Sequence, residues 1–324
     1  MASSQSFQRR RLGNTDIEIT PIGLGVMQFS GNKGIFRMMF QDIHQDEMNG
    51  IVQAALKGGI NWFDTAELYG RGSSEQGLAN ALKSARIDDE DVIIATKWFP
   101  ILRTARNIPS TINDRLHYLG DYSIDLYMVH QPWGFSSPEA EMDAMAELVK
   151  EGFIRSVGVS NFNADRMRRA HNTLSKHGLP LAVNQMQYSL IDRKIETNGV
   201  LQAAKDLGIT IVAWSPLGSG ILSGKYHKSP RILAQTPYWR RRLLKRNIER
   251  TRPLISALED IAGKYNATPA QVALNWIINF HGEAIVAIPG ASKVRHAEDN
   301  AGAMRFTLSQ DDIAKLDELS KEYR

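Results

Sequence analysis

Three runs of β-forming residues each end in side chains that can hold or move a proton. Ile60-Asn61-Trp62-Phe63 runs straight into a stretch carrying Asp64, Glu67 and Tyr69. Val92-Ile93-Ile94-Ala95-Thr96 ends at Lys97, and Ile124 to Val129 ends at His130. A free tyrosine has a pKa near ~10, so its phenol is a weak acid at neutral pH unless its anion is favoured. The charge of Lys97 would favour that anion, and Asp64 would keep Lys97 placed and charged. Such a phenol can give its proton to an oxygen that is gaining negative charge. His130 can orient that oxygen or pass the proton on. Taken singly, each residue also has an ordinary reading: Asp64–Lys97 as a structural ion pair, Tyr69 as core. Their shared place at strand ends favours the chemical one.

A second set of residues suits a flat, anionic ligand. Trp214 can offer its face to a heteroaromatic ring, although a core tryptophan is equally ordinary. Ser160, Asn161 and Gln185 can grip a carboxamide, or serve as turn and cap residues. Ser215, Leu217 and Gly220 open a loop of small residues whose backbone N–H groups can wrap a pyrophosphate, with Lys225 close by as counter-charge. Gly290-Ala291-Ser292 opens a helix, whose free N–H groups suit phosphate. The densest charge runs through Arg240, Arg241, Arg242, Lys245, Arg246, Arg250 and Arg252. It reads first as a solvated helix face, then as attraction for a polyphosphate; too few aromatics are interleaved for nucleic acid.

Other chemistries are poorly served. The chain has no cysteine, which removes disulfides and thiolate nucleophiles. It has neither a His-Glu-x-x-His zinc motif nor a Gly-Lys-Ser/Thr phosphate loop. A glycosidase pair of carboxylates can be drawn from Asp64, Glu67 and Asp125. But Asp125 falls mid-strand, and that reading leaves the lysine and the tyrosine idle.

The elements that place these residues alternate strand and helix. Residues 7–20 read as a hairpin turning at Gly13-Asn14, and a first barrel strand ends in Gly23-Leu24-Gly25. The loop from Met27 to about Asp42, with Met38, Met39 and Phe40, is long enough to be functional. Helices are expected over 45–57, from a Ser74 cap to Ser84, and over 104–119, 137–151, 164–176 and 196–207. After the strand 210–213 comes an insert over 219–252, then helices from Pro253, Pro269, Val294 and a Ser309 cap. Eight strands, each followed by a helix, predict a single (β/α)8 TIM barrel domain with an N-terminal hairpin and extra C-terminal helices. Gly23-Leu24-Gly25 lacks the third glycine of the dinucleotide fingerprint, which argues against an open doubly wound sheet. The 324 residues, 43% hydrophobic and 23% charged, can build a sizeable core. The net charge of +4 is mildly favourable to anions. The N-terminus lacks an apolar signal core and no run would span a bilayer, so a cytoplasmic protein is expected. The Asn266-Ala267-Thr268 sequon is then silent.

Together the motifs resemble the aldo-keto reductase family over nearly the whole length. They are Phe63 to Gly70, Thr96-Lys97, Val129-His130-Gln131-Pro132, Gly158 to Phe162, Val183-Asn184-Gln185, Trp214 to Gly218 and Ile288 to Ser292. The resemblance implies an α/β barrel that uses NADP(H) without a Rossmann fold. It implies Tyr69 as general acid, Asp64 and Lys97 tuning it, and His130 orienting the carbonyl. Gly25, Val26, Met27, Asp64 and Tyr69 would border the cofactor, with Ser160, Asn161 and Gln185 on its carboxamide and Trp214 on the nicotinamide. Ser215, Pro216, Leu217, Gly220 and Lys225 would hold the pyrophosphate, and Gly290, Ser292, His296 and Asn300 the adenosine end. The substrate pocket would use Phe29, Trp98, Phe99 and Trp133, with Met27 and part of the 31–42 loop. Many members carry lysine and arginine where this chain has Gly290 and His296. That departure points to the branch related to potassium-channel β-subunits, with Lys225, Lys293 or Arg231 as replacements toward a 2′-phosphate. The resemblance therefore implies reduction of small carbonyl compounds, with self-association possible and neither membrane nor nucleic acid as partner. A cofactor-sensing regulatory subunit with slow turnover is the alternative. The channel subunits have asparagine at the place of His130, which favours turnover here.

Overall fold

Side chains alternate across a strand, so each barrel strand sends every second residue inward. The structure is a computed structural model that describes residues 8–31, 42–234, 236 and 238–324. The short antiparallel strands β1 (Arg10–Arg11) and β2 (Glu18–Ile19) form the expected hairpin. Leu12, Ile17 and Ile19 of this hairpin join Trp62, Met128, Val183 and Val212 in one apolar cluster. The hairpin thus plugs the end of the barrel opposite its chemistry.

Then the alternation begins with β3 (Leu24–Gly25), α1 (Gln45–Lys57), β4 (Trp62–Asp64), α2 (Ser73–Ser84), β5 (Ile93–Trp98) and α3 (Asn107–Leu119). It continues with β6 (Leu126–Val129), α4 (Pro138–Lys150), β7 (Ser156–Ser160), α5 (Ala164–Lys176), β8 (Leu181–Gln187), α6 (Val200–Leu207) and β9 (Thr210–Trp214). The rest is α7 (Lys225–Lys228), α8 (Pro230–Ala234), α9 (Tyr238–Lys264), α10 (Pro269–Phe280), β10 (Ile285–Ala287), α11 (Val294–Gly302) and α12 (Gln310–Ser320). Strands β3 to β10 form one eight-stranded parallel sheet in chain order. The sheet curls until its edges meet: Ile22 bridges Ala287 and Gly25 bridges Gly290. Gly23 N–H donates to Ala287 at 2.9 Å and Gly25 N–H to Pro289 at 3.1 Å across this seam. Outside the seam α1 packs on α11, where a Cβ on Gly58 would stand 2.3 Å from that of Ala301. The (β/α)8 expectation holds.

Two local expectations do not hold. Ser74 is not a cap: α2 starts at Ser73 after Gly72, and the Ser74 hydroxyl is buried, donating to Val26 O at 2.7 Å. Pro253 does not begin a helix but lies inside α9, which is 27 residues long. Proline removes one backbone donor and crowds the turn before it. Around that turn His227 Nε2 lies 3.1 Å from the Ile248 carbonyl and 2.9 Å from Thr251 Oγ1. Packing of Leu254, Ile255, Leu258 and Ile261 into the main core holds the helix across the defect.

The C-terminal segment is fastened by Arg193, which is fully buried. Its guanidinium bonds both Glu196 oxygens at 2.8 Å, Asp317 Oδ1 at 2.6 Å and Ser320 Oγ at 2.6 Å. It also stands 4.8 Å from the Trp276 ring centroid. Burial pushes the Glu196 carboxyl up, but hydrogen bonds from His281, Arg193 and Tyr188 outweigh it and hold the pKa well below the ordinary range. Arg193→Met leaves Glu196 and Asp317 to the partly exposed Arg324, which bonds both, and removes the buried guanidinium between them; it is expected to cost about 3 kcal/mol in urea unfolding at neutral pH. The deficit shrinks on acidification, because the stability tied to a depressed carboxylate is lost as pH falls from its ordinary value toward its depressed one.

Candidate active site

Two-residue steps carry five of the strands from the apolar plug to a polar layer above it. Trp62 leads to Asp64, Ala95 to Lys97, Met128 to His130, Val183 to Gln185 and Val212 to Trp214. The first member of each pair belongs to the plug, and the second stands one step nearer the strand C-terminus. Asp64, Lys97 and Gln185 meet there. Lys97 Nζ donates to Asp64 Oδ1 at 2.6 Å and to the Thr65 carbonyl at 2.7 Å, and Gln185 Nε2 donates to Asp64 Oδ2 at 2.8 Å. Lys97 is 0% exposed and Asp64 2%. Burial raises the Asp64 carboxyl against the pull of Lys97, and lowers Lys97 against the pull of Asp64.

Tyr69 reaches this pair from the loop after β4. Thr65 N–H donates to Ala95 O at 2.9 Å and Glu67 N–H to Lys97 O at 3.2 Å, so the loop is laid along the end of β5. Gly70 then turns away at φ 69°, where a Cβ would come within 2.4 Å of the Ser30 carbonyl. Only glycine fits that place. The Tyr69 ring centroid lies 5.2 Å from Lys97 Nζ and 5.6 Å from the His130 ring, edge to face. The structure thus brings all four proton-handling candidates together. One expectation is corrected: the phenol is not made more acidic. Burial and the neighbouring charge of Asp64 push Tyr69 well above the ordinary tyrosine value. His130 is held well below its ordinary value by burial and by the charge of Lys97, so it is neutral at pH 7. Its buried Nδ1 has no hydrogen-bond partner among the described residues.

The candidates for a cofactor line the same mouth. Ser160 Oγ donates to the Gln185 carbonyl at 3.0 Å, and Asn161 Nδ2 donates to Ser160 Oγ at 3.0 Å and to Gln131 Oε1 at 3.2 Å. Trp214 Nε1 donates to Asn161 Oδ1 at 3.1 Å, leaving the half-buried indole pinned at the rim. Gln185 gives one of its amide N–H groups to Asp64 Oδ2. After β9, Ser215, Gly218, Ser219 and Gly220 all have positive φ, and Pro216 is buried between them. The Gly220 N–H already donates to Leu217 O at 3.0 Å. What Gly220 supplies is room: a Cβ there would stand 3.0 Å from Lys225 Cε. Burial, with the charges of Lys225, Arg295 and Lys293, holds the pKa of His296 down. Ser292 Oγ lies 3.3 Å from His296 Nδ1, and Asn300 Nδ2 donates to Gly290 O at 3.5 Å. Gly25 lies beside Gly290 across the seam, and Val26 N–H is taken by Asp64 O at 2.9 Å. Met27 is half-buried in the turn that follows, and Arg231 is exposed.

The residues present fit a dinucleotide. Gly220 leaves room beside Lys225, cationic side chains act on His296, and an indole is pinned near Asn161. The next residue, Gln28, carries a signal that sequence reasoning missed. Its amide lies against Gly290, where a Cβ would be 2.3 Å away, and its buried Oε1 has no partner among the described residues. No motif marks it.

The pocket candidates divide. Phe99 lies beside His130, ring centroids 5.9 Å apart, and Trp133 is 61% exposed. Trp98 and Phe29 are placed elsewhere. Trp98 follows Lys97 on β5 and so points outward; it is 0% exposed in the core between barrel and helices. Phe29 is 1% exposed in that same core, toward Met48 and Gly77. Met38, Met39 and Phe40 lie outside the described residues, as do the side chains of Arg240, Lys245 and Arg246. Arg250 pairs with Glu322 and Arg252 with Glu249, which suits the solvated-face reading of that run.

Behind the site lies a buried network. Thr96 Oγ1 donates to Glu75 Oε1 at 2.6 Å, and Arg115 Nε stands 3.2 Å from Glu75 Oε2. Burial outweighs Arg115 and pushes Glu75 up to about 7 from an ordinary 4.5. Above pH 4.5 the unfolded chain gives up this proton while the fold keeps it, so stability from this group falls as pH rises toward 7. Over roughly 2.5 pH units at about 1.4 kcal/mol each, wild type is expected to lose about 3 kcal/mol relative to Glu75→Gln. Urea unfolding of both proteins at the two ends of that window measures it.

The family model described as the Aldo/keto reductase family matches residues 21–321. The chain is 32% identical over 329 residues to a chloroplastic pyridoxal reductase of Arabidopsis thaliana, covering 98% of this chain and 87% of that protein. It is 34% identical over 316 residues to aldo-keto reductase str7 of Strobilurus tenacellus, covering 94% and 90%. The NADP(+)-labelled aldo-keto reductase yakc of Schizosaccharomyces pombe is 29% identical over 327 residues, covering 97% and 91%. Among solved structures, a thermostable aldo-keto reductase in complex with the inhibitor epalrestat superposes with a TM-score of 0.77 at 30% identity, over 96% of this chain and 99% of that one. With its barrel, its buried Asp64–Lys97 pair and these relatives, the chain belongs to the aldo-keto reductase family and is an NAD(P)H-dependent oxidoreductase of carbonyl groups.

Proposed function

We propose that the chain is an NADPH-dependent reductase of aldehydes and ketones in which Tyr69 is the general acid. The observation that carries this reading is the Tyr69 ring set 5.2 Å from Lys97 Nζ and 5.6 Å from a neutral His130. A reduced nicotinamide, when bound, supplies the hydride. The rest is the work of side chains. Tyr69 stays protonated at neutral pH because burial and Asp64 disfavour its anion, so the proton is in place before it is needed. As the carbonyl oxygen gains negative charge it becomes a strong acceptor, and the phenol gives that oxygen its proton. Lys97 then stabilises the phenolate left behind at close range in a site of low dielectric. Neutral His130 donates a hydrogen bond to the carbonyl oxygen without bringing a second charge beside Lys97. Asp64 and Gln185 hold Lys97 at its post.

Lys225, Lys293 and Arg295, grouped around His296, support a 2′-phosphate and hence NADPH over NADH. The NADP(+) label of one relative agrees. Phe99 beside His130 and the exposed Trp133 suit apolar or aromatic aldehydes, and the pyridoxal reductase among the relatives is named for a heteroaromatic aldehyde.

Oxidation of NADPH by a panel of aldehydes, followed by loss of the reduced-nicotinamide absorbance, tests this directly. Tyr69→Phe is expected to bind NADPH unchanged and to lose turnover by about a hundred- to ten-thousand-fold. Wild type that binds NADPH but reduces no carbonyl would sink the reductase and point to a sensor. The same assay run across pH is expected to show no inflection near the ordinary imidazole value of 6.5, because His130 stays neutral far below it. An inflection there that disappears in His130→Asn would overturn the neutral-donor role.

A further inference from the structure

We propose that Arg103 is a positioning residue that locks an apolar wall onto the tyrosine loop, and that this wall receives the hydrophobic part of the carbonyl substrate. The inference rests on the reductase reading for its occupant and on geometry alone for the lock. Arg103 lies in the loop between β5 and α3, with its side chain one-third exposed. Its Nη1 donates to Glu67 Oε1, and Glu67 lies on the same loop as Tyr69, two residues before it. The other Glu67 oxygen accepts the Phe99 N–H at 3.2 Å and stands 3.5 Å from Arg115 Nη1. The Arg103 carbonyl meanwhile accepts the Phe135 N–H at 3.0 Å, and the Ala105 N–H donates to Ser136 Oγ at 2.8 Å. One residue thus joins three loops: its side chain holds the tyrosine loop and its backbone holds the loop after β6.

What the lock presents is apolar. Leu102 is 80% exposed, Phe135 70%, Trp133 61% and Ile101 41%, and all four stand on the two loops joined at Arg103. They are the large apolar side chains left most exposed along this stretch of the chain, and they continue from Phe99, whose ring borders His130. Leu102 has φ 58°, a left-handed conformation that costs a non-glycine residue about 1–2 kcal/mol. Such strain persists where neighbours over-determine it, and here the adjoining Arg103 N–H closes a turn on Pro100 O at 3.0 Å. A rim ion pair by itself is worth only about 0–1 kcal/mol. Its use here is to fix where the wall stands, so its loss acts on substrates long enough to touch the wall.

The test compares wild type with Arg103→Met and Arg103→Lys on a short aliphatic aldehyde (propanal) and a long aromatic one (4-butylbenzaldehyde). Thermal melting first confirms that each variant is folded. Arg103→Met is expected to raise KM for the long aldehyde about tenfold, equivalent to about 1.4 kcal/mol, with kcat little changed and propanal far less affected. Arg103→Lys is expected to recover most of that loss, and Trp133→Ala to reproduce it. Amide hydrogen exchange gives a readout that does not need turnover: residues 131–136 are expected to exchange faster in Arg103→Met while residues 61–66 do not change. Equal losses on both aldehydes, or unchanged exchange over 131–136, overturn the lock. A wild type that reduces neither aldehyde instead removes the reductase reading, and with it the occupant assigned to the wall, whatever the exchange shows.

Discussion

A lysine and an aspartate buried together at 2.6 Å, inside a closed barrel, set the terms for everything above the apolar plug. Taking two charges out of water costs several kcal/mol each, and is repaid only when every remaining hydrogen-bonding position finds a partner. Asp64 meets this with Lys97 and Gln185 on its two oxygens, and Lys97 gives two of its three N–H donors to Asp64 and the Thr65 carbonyl. Three strands, β4, β5 and β8, must therefore keep their register to within a fraction of an ångström. The plug beneath them and the hairpin that closes it supply that rigidity. The pair is poor evidence of stability for its own sake. It is better understood as a fixed charge against which a phenol and an imidazole are set.

Electrostatics at the site run opposite to a simple reading of neighbouring charges. Lys97 suggests an acidified tyrosine, but burial dominates and pushes the phenol up, and the charge of Asp64 adds to that push. The same burial, with Lys97 beside it, keeps His130 neutral. The resting barrel therefore holds one charged pair and two neutral donors. That is a suitable state in which to await a substrate that develops negative charge only during the reaction.

Much of this was legible in the sequence. Alternating strands and helices, with polar residues at the strand ends, foretold the barrel and the meeting of Asp64, Tyr69, Lys97 and His130. Period-two reasoning applied one step further would also have turned Trp98 outward, since it follows an inward Lys97. Ser74 looked like a cap because serine before a helical run usually is one; its burial against Val26 is a tertiary fact. Pro253 looked like a start for the same kind of reason, and packing overrode it. Gln28, Arg103 and the Glu75–Arg115 network were not legible at all. Each depends on which helices and loops come together, and residues 67, 103 and 135 have no local pattern that announces their contact.

The seam of the barrel differs in kind from its other joints. Elsewhere neighbouring strands share a continuous ladder, with one register shift between β7 and β8, but the seam is joined by the isolated bridges Ile22–Ala287 and Gly25–Gly290, and the close seating of α1 on α11 outside them completes the closure. A ladder draws on hydrogen bonds, whereas helix seating draws on apolar burial, and apolar burial weakens on cooling. The two halves of the closure therefore respond differently to temperature. Gly25 and Gly290, which flank the proposed cofactor groove, lie on that seam. A cofactor groove laid on this seam would therefore feel cooling more than the proton-handling centre set on the inner strands.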